Sequence, residues 1–211
     1  VARIDDYRES FRLAAAELKA ADLPHLAKLA GADLNITEGG PGTLRLLFFG
    51  SPHLVQVGDT VRVCKGAEEG EIPLPESILI CHYLLSATGE PPTGKLITFR
   101  QIPDGQFYFD AFQRRARDPF LATFGGQPER FRQCAERLGG ELVAAGDVAM
   151  SFQVFPRIAV QLVLWRGDDE FPPEAGILFD AGIARNLTAE DIAVMSGMLV
   201  YRLMGMARRE A

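Results

Sequence analysis

The 211 residues carry 22 Lys and Arg against 28 Asp and Glu, a formal net charge of −6, with a pI near 5.2. An acidic chain repels phosphate backbones and anionic lipid, which argues against nucleic acid or a membrane as main partner. Hydrophobic content of 47% at this length supports one substantial core, so a single globular domain over residues 1–211 is expected.

Ile4 to Ala21, rich in Ala, Leu and Glu, reads as a helix. Asp22 can cap a second helix, with Leu23-Pro24 in its first turn and Gly31 ending it. A turn is expected in "EGGPG" (Glu38 to Gly42). Short β-type runs follow: "LRLLFF" from Leu44, "HLVQV" from His53 and "TVRV" from Thr60, separated by "GSP" and "GD" as in a meander. "KGAEEGE" (Lys65 to Glu71) is a loop. Pro75 opens a further helix that Gly89 closes. "KLITF" and "QFYF" read as strands around the turn "PDG".

Two helices are expected next, Ala111 to Phe124 and Pro128 to Leu138, each ended by a pair of glycines. The stretch Asp110 to Leu138 holds six arginines against four acids, which reads as a solvated helical face. "ELVAA", "VAMSFQVF", "AVQLVLW" and "ILFD" read as strands, with "RGDDEFPPEAG" as a long turn. Thr188 starts the last helix, with Glu190 and Asp191 in a capping pattern. This order lacks regular β-α-β alternation. It predicts an α+β fold of mostly antiparallel sheets packed with N-terminal, central and C-terminal helices.

The last helix is apolar on almost every side from Ile192 to Met206, and Ala193, Gly197 and Gly205 bring small residues to one side of it. It is read as domain core, with a homodimer contact as the alternative. The same stretch is too short to cross a bilayer and contains Arg202. The N-terminus, "VARIDDYRES", shows no signal-peptide pattern. Cys64, Cys81 and Cys134 are scattered, which suits reduced thiols in the cytoplasm and leaves no four-cysteine cluster or zinc site. No metal site is expected.

Several motifs fail on inspection. Gly89, Gly94 and Lys95 satisfy G-x-x-x-x-G-K, but Leu96 replaces the required hydroxyl and the loop precedes a strand instead of opening a helix. "RGDDEF" lacks the alternation that wraps calcium and reads as a solvated turn. No G-x-S-x-G, H-E-x-x-H or dinucleotide fingerprint occurs.

Two positions stand out. His82 lies in the oily run "ESILICHYLLSA" and shares a helical face with Ile78, Leu79, Leu85 and Ser86. A buried imidazole needs a hydrogen-bond partner, a place at the rim, or a ligand. Tyr83 and the nearby rings of Phe99, Phe107, Tyr108, Phe109, Phe112, Phe120 and Phe124 can line a pocket for a flat cofactor, or can simply be core. The expected cofactor contacts are His82, Tyr83, Phe99 and Phe109. Asp180 ends the apolar strand "ILFD". It anchors the loop through amides, pairs with Arg157 or Arg185, or acts as a catalytic acid at a strand end.

"HYLLSATGEPPTGKLITFRQIPDGQFY", "FPRIAVQLVLWRGDDEFPPEAGILFD" and "LTAEDI" together resemble a bacterial family catalogued as domain of unknown function 3786, over most of the chain. The family has no established activity. The resemblance implies a protein found mainly in anaerobes, with relatives fused to a four-cysteine iron–sulfur module like that of the corrinoid iron–sulfur protein. It also implies that the family's noted aspartate corresponds to Asp180. This chain lacks the module, so a partner protein carrying an iron–sulfur cluster or corrinoid would have to supply it. The resulting expectation is a cofactor-binding or accessory protein of anaerobic metabolism, with a corrinoid or haem-like tetrapyrrole at His82. The alternatives are a hydrolase or transferase using Asp180, and an assembly subunit without small-molecule chemistry.

Overall fold

In the computed structural model, which describes residues 4–36, 40–66 and 70–209, the chain forms two units. The first holds the described residues of Val1–Pro91 together with Phe155–Arg157 and Arg185–Leu187, and the second holds Pro92–Val154, Ile158–Ala184 and the described part of Thr188–Ala211.

The first unit begins with α1 (Ile4–Ala20), whose acids Asp5 and Asp6 and basic Lys19 stand at the ends that the helix dipole favours. Both ends of α2 (Leu23–Ala30) are written in its sequence. The Asp22 carboxylate accepts the His25 amide at 3.2 Å, and Gly31 closes the helix in the left-handed region with φ 68°. An antiparallel meander follows: β1 (Asp33–Ile36), β2 (Gly42–Phe48), β3 (Ser51–Val57) and β4 (Val61–Lys65). Leu44 faces Val55, and Leu46 faces His53. These residues are buried, while the positions between them turn outward. Phe48 pairs with Ser51, leaving Phe49 and Gly50 as a two-residue turn with both φ values positive, 48° and 71°. That is the turn whose twist matches a tight hairpin.

The sequence reading missed β1. Asp33 and Asn35 are poor strand formers, and three of its four residues are exposed. Backbone pairing to β2, from Asp33↔Arg45 to Ile36↔Gly42, holds it in place. The turn expected at Glu38–Gly42 falls partly on residues 37–39, and the loop expected at Lys65–Glu71 partly on residues 67–69. Those residues lie outside the described ones.

The centre of the first unit is α3 (Leu74–Ser86), with Ser77, Ile78, Leu79, Ile80, Cys81, Tyr83 and Leu84 all buried. A helix apolar on most sides must be covered on most sides, and α1 and α2 both pack against it.

The second unit carries a five-stranded sheet in the order β5-β9-β8-β7-β6, formed by β5 (Leu96–Thr98), β6 (Glu141–Val143), β7 (Val148–Phe155), β8 (Ile158–Trp165) and β9 (Glu174–Asp180). The pairs β5–β9, β6–β7 and β8–β9 are antiparallel. With the meander, this makes the α+β fold of antiparallel sheets and N-terminal, central and C-terminal helices that the element order predicts.

One strand assignment is overturned. "QFYF" belongs to α4 (Gly105–Phe112), which continues through a π-helical turn, Gln113–Arg117, into α5 (Asp118–Phe124). Four residues are too few to separate period 2 from period 3.6. The chain enters the helix through Asp104 at φ 59° and Gly105, where a Cβ would collide with the Phe99 carbonyl oxygen. The "PDG" turn therefore delivers a helix, not the second arm of a hairpin. The helix expected from Ala111 starts earlier, at Gly105.

After α6 (Pro128–Arg137), the last helix α7 (Ala189–Arg208) opens with a reciprocal cap. Thr188 Oγ1 accepts the Asp191 amide at 3.2 Å and donates to the Asp191 carboxylate at 2.7 Å. α4, the π-turn, α5 and α6 all pack on α7. Gly197 serves this packing: a Cβ there would stand 3.3 Å from the carbonyl oxygen of Arg115 in the π-turn. The close neighbour of Gly197 is the chain's own backbone.

Candidate functional site

His82 is half-buried on α3, between the buried Ile78 and the exposed Ser86. It stands where the covered face of the helix passes to the surface. Ser86 Oγ lies within hydrogen-bond distance of two carbonyl oxygens, that of His82 at 2.6 Å and that of Asn186 at 2.5 Å, and its one proton goes to either; the Asn186 side chain accepts the Thr88 amide at 3.1 Å. The end of α3 is thus tied to the segment Arg185–Leu187 within the first unit.

Tyr83 is fully buried (0% exposed). Its ring stacks on Phe155 with centroids 4.2 Å apart and planes 11° from parallel. Its hydroxyl donates to the Ala30 carbonyl at 2.7 Å and accepts the Arg157 amide at 3.2 Å. Burial pushes the phenol up to about 12, against the opposing pull of Arg157. Arg157 also sends Nε to the Leu29 carbonyl at 2.5 Å and a guanidinium nitrogen to the Lys28 carbonyl at 3.3 Å. The last carbonyls of α2, which no helical amide can satisfy, are taken by Tyr83 and Arg157.

Phe99 and Phe109 belong to the second unit. Phe99 is 1% exposed and lies flat on Phe112, with centroids 4.2 Å apart and planes 6° from parallel. Phe179 meets both rings edge-on or tilted at 6.3–6.4 Å. Phe109 lies under the Arg100 guanidinium, 4.0 Å from the ring centroid. Phe120, Phe124 and Phe131 form a further cluster. Phe107 points away from all this and is 86% exposed.

Asp180, half-buried at the end of β9, binds its own chain. Its oxygens accept the amides of Thr93 at 3.0 Å, Gly94 at 2.8 Å and Gly182 at 2.8 Å, and the Thr93 hydroxyl at 3.0 Å. Burial raises the carboxyl, but the bonds from Thr93, Gly182 and Gly94 outweigh it and hold the group below its usual range. This carboxylate fastens the "PTGK" loop ahead of β5, and the Ala181 amide adds a bond to the Lys95 carbonyl at 2.8 Å. Of the two arginines considered for Asp180, Arg157 serves the end of α2 and Arg185 forms an ion pair with Glu90, both within the first unit.

The "RGDDEFPP" turn and the glycines Gly125 and Gly126 enclose a cleft of about 540 Å³ in the second unit. Two of its polar side chains, Asp168 and Arg166, are engaged locally. Asp168 accepts the amides of Glu170 at 2.9 Å and Phe171 at 2.8 Å, which lowers its carboxyl. Arg166 pairs with Glu129 at 2.5 Å. Among the described residues no group of three or more His, Cys, Asp or Glu is placed to hold a metal ion, and no helix is long and apolar enough to cross a membrane.

α7 has a second face. Glu190, Val194, Met198, Tyr201, Gly205 and Arg208 recur at spacings of four, four, three, four and three, which places them within about 80° of arc at 100° per residue. All six are exposed or half-exposed, Tyr201 at 56%, and a Cβ on Gly205 would meet nothing within 4 Å. The sequence reading saw a helix apolar on almost every side and did not separate these six from the buried set. The signal was present in the spacing, because the stripe alone carries a tyrosine, an acid at one end and a base at the other.

These features define an α+β protein whose buried polar side chains serve its own loops and helix ends, and whose last helix keeps a partly exposed stripe of Val194, Met198, Tyr201 and Gly205 between charged ends. The chain belongs to the family described as Domain of unknown function (DUF3786), whose model matches residues 22–202. No curated protein and no solved structure matches it.

Proposed function

We propose that this chain is an assembly subunit that docks another protein surface along α7. The observation that carries the reading is the stripe from Glu190 to Arg208, an apolar strip with charged ends on a well-capped helix. Surfaces of that composition serve association. The side chains first considered for chemistry support the reading indirectly. Tyr83 and Phe99 are spent in stacked ring pairs, and the Asp180 carboxylate is occupied by amides. The proposed setting is a reducing cytoplasm, which suits three unpaired, buried cysteines.

A photo-crosslinking amino acid in place of Tyr201 tests the docking face inside cells. The expected result is one discrete adduct, absent when the same group replaces the exposed Arg62 of the first unit's sheet. No adduct at position 201 overturns the reading.

A second reading, binding of a corrinoid or haem-like tetrapyrrole in an anaerobe, keeps one supporting observation: His82 is half-buried at the edge of α3 and not sealed in the core. An absorbance spectrum of protein purified anaerobically from a host that makes the cofactor tests it. A colourless protein that also takes up no corrinoid or haem rules it out.

A further inference from the structure

The stripe on α7 is complementary to itself in the antiparallel sense, and we propose that its occupant is a second copy of this chain, related by a twofold axis that crosses the helix between residues 199 and 200. This inference rests on the reading of α7 as a docking face and names its partner.

The argument is one of shape and charge. In an isologous pair every contact occurs twice, so a helix face can pair with itself only if its two halves complement each other. About the proposed axis, Met198 of one copy meets Tyr201 of the other, and Val194 meets Gly205. The first contact sets a thioether against an aromatic ring. The second sets a branched side chain against a position where a Cβ would have nothing within 4 Å, a bump opposite a notch.

The ends match as well. Glu190 stands exposed at the start of α7, and Arg208 and Arg209 stand exposed at its end. Antiparallel pairing brings each Glu190 to the partner's two arginines. Parallel pairing would bring Glu190 against Glu190 and the arginines against one another. Antiparallel pairing also sets the positive N-terminal end of each helix dipole beside the negative C-terminal end of the other. The neighbouring acid, Asp191, does not compete, because its carboxylate is held by Thr188 in the helix cap. Glu190 has one contact of its own, the Tyr108 hydroxyl at 3.4 Å, which leaves acceptor capacity on the carboxylate.

The test uses the full chain and two charge variants, Glu190→Arg and the double variant Arg208→Glu/Arg209→Glu. Sedimentation equilibrium on the native protein is expected to give twice the 23.1 kDa of one chain. Each variant alone sets like charges together at both ends and is expected to weaken the dimer roughly tenfold or more. An equimolar mixture of the two variants restores opposite charges at both ends, so the mass of the mixture is expected to return to that of a dimer. Tyr201→Glu, which buries a carboxylate beside Met198 of the second copy, is expected to remain a monomer with an unchanged circular dichroism spectrum.

A native monomer at high concentration overturns the inference, and so does a dimer indifferent to the charge variants or a mixture that stays monomeric. In each of those cases a crosslinked adduct at position 201 that contains a different protein would leave the docking reading standing. No adduct at all removes both.

Discussion

The Tyr83 hydroxyl donates to the carbonyl oxygen of Ala30 at 2.7 Å, joining the buried helix α3 to the C-terminal end of α2. The Tyr83 hydroxyl oxygen in turn accepts the Arg157 amide at 3.2 Å, so one phenol closes two backbone groups. Tyr83→Phe keeps the ring on Phe155 and removes both bonds. Leaving the buried Ala30 carbonyl without its partner costs about 1–3 kcal/mol, and urea denaturation at neutral pH is expected to show a loss in that range. The alkaline limb adds a second readout. Folded Tyr83 keeps its proton up to about pH 12, whereas an unfolded tyrosine loses it near pH 10. The contribution is therefore complete below about pH 10 and disappears as pH rises toward 12, and Tyr83→Phe should flatten its share of that decline.

Asp180 gives the opposite pH signature. Its carboxyl is held below the ordinary value of 3.8, with burial opposing and the bonds from Thr93, Gly182 and Gly94 prevailing. A depressed carboxylate stabilises the fold above the unfolded value and loses that effect as pH falls through the folded one. Asp180→Asn offers one acceptor oxygen where the carboxylate offers two, and the "PTGK" loop should loosen. The expected outcome is a stability deficit at pH 7 of about 1–2 kcal/mol, shrinking below pH 3.8 as the native group takes up its proton. Hydrogen exchange at the amides of Thr93 and Gly94 should accelerate in the variant. A variant with unchanged exchange there would show that the carboxylate does not hold the loop.

How much of this was legible in the sequence depends on where the information lies. Local chemistry was readable: Asp22, Pro24 and Gly31 mark α2, and Thr188 with Asp191 marks the start of α7. Those signals act over one helical turn. The strand β1 was not readable, because its place comes from pairing with β2 and not from its own side chains. "QFYF" was misread because four alternating residues fit either period, and the left-handed Asp104 ahead of them decides for helix.

The candidate site was legible as a set of residue types and not as an arrangement. Composition shows that Tyr83, Phe99 and Asp180 are candidates for chemistry. Only coordinates show that Ala30, Phe112 and Thr93 already occupy them.

The thiols yield a kinetic prediction. Cys64, Cys81 and Cys134 are all buried and unpaired, and burial pushes Cys81 up to about 12. Thiolate is the reactive form, so the native protein should react with a thiol reagent only as fast as it opens. Addition of denaturant is expected to release all three thiols rapidly. One fast-reacting thiol in the native protein would contradict the burial of at least one of them.

Gly197 and Gly205 lie two turns apart on α7 and should respond to substitution in opposite ways. A Cβ at Gly197 would stand 3.3 Å from the Arg115 carbonyl oxygen, and the two methyl groups of valine would press further into the π-turn. Overpacking of that kind costs about 1–3 kcal/mol, and thermal or urea unfolding of Gly197→Val should show it. Gly205 has open space around its Cβ position. There, Gly205→Ala removes backbone freedom from the unfolded chain without crowding, and is expected to raise stability by roughly 0.5–1 kcal/mol in dilute protein. Equal responses at the two positions would mean that the π-turn does not rest on α7 at Gly197, and that the exposed stripe and the buried face of this helix are not distinct.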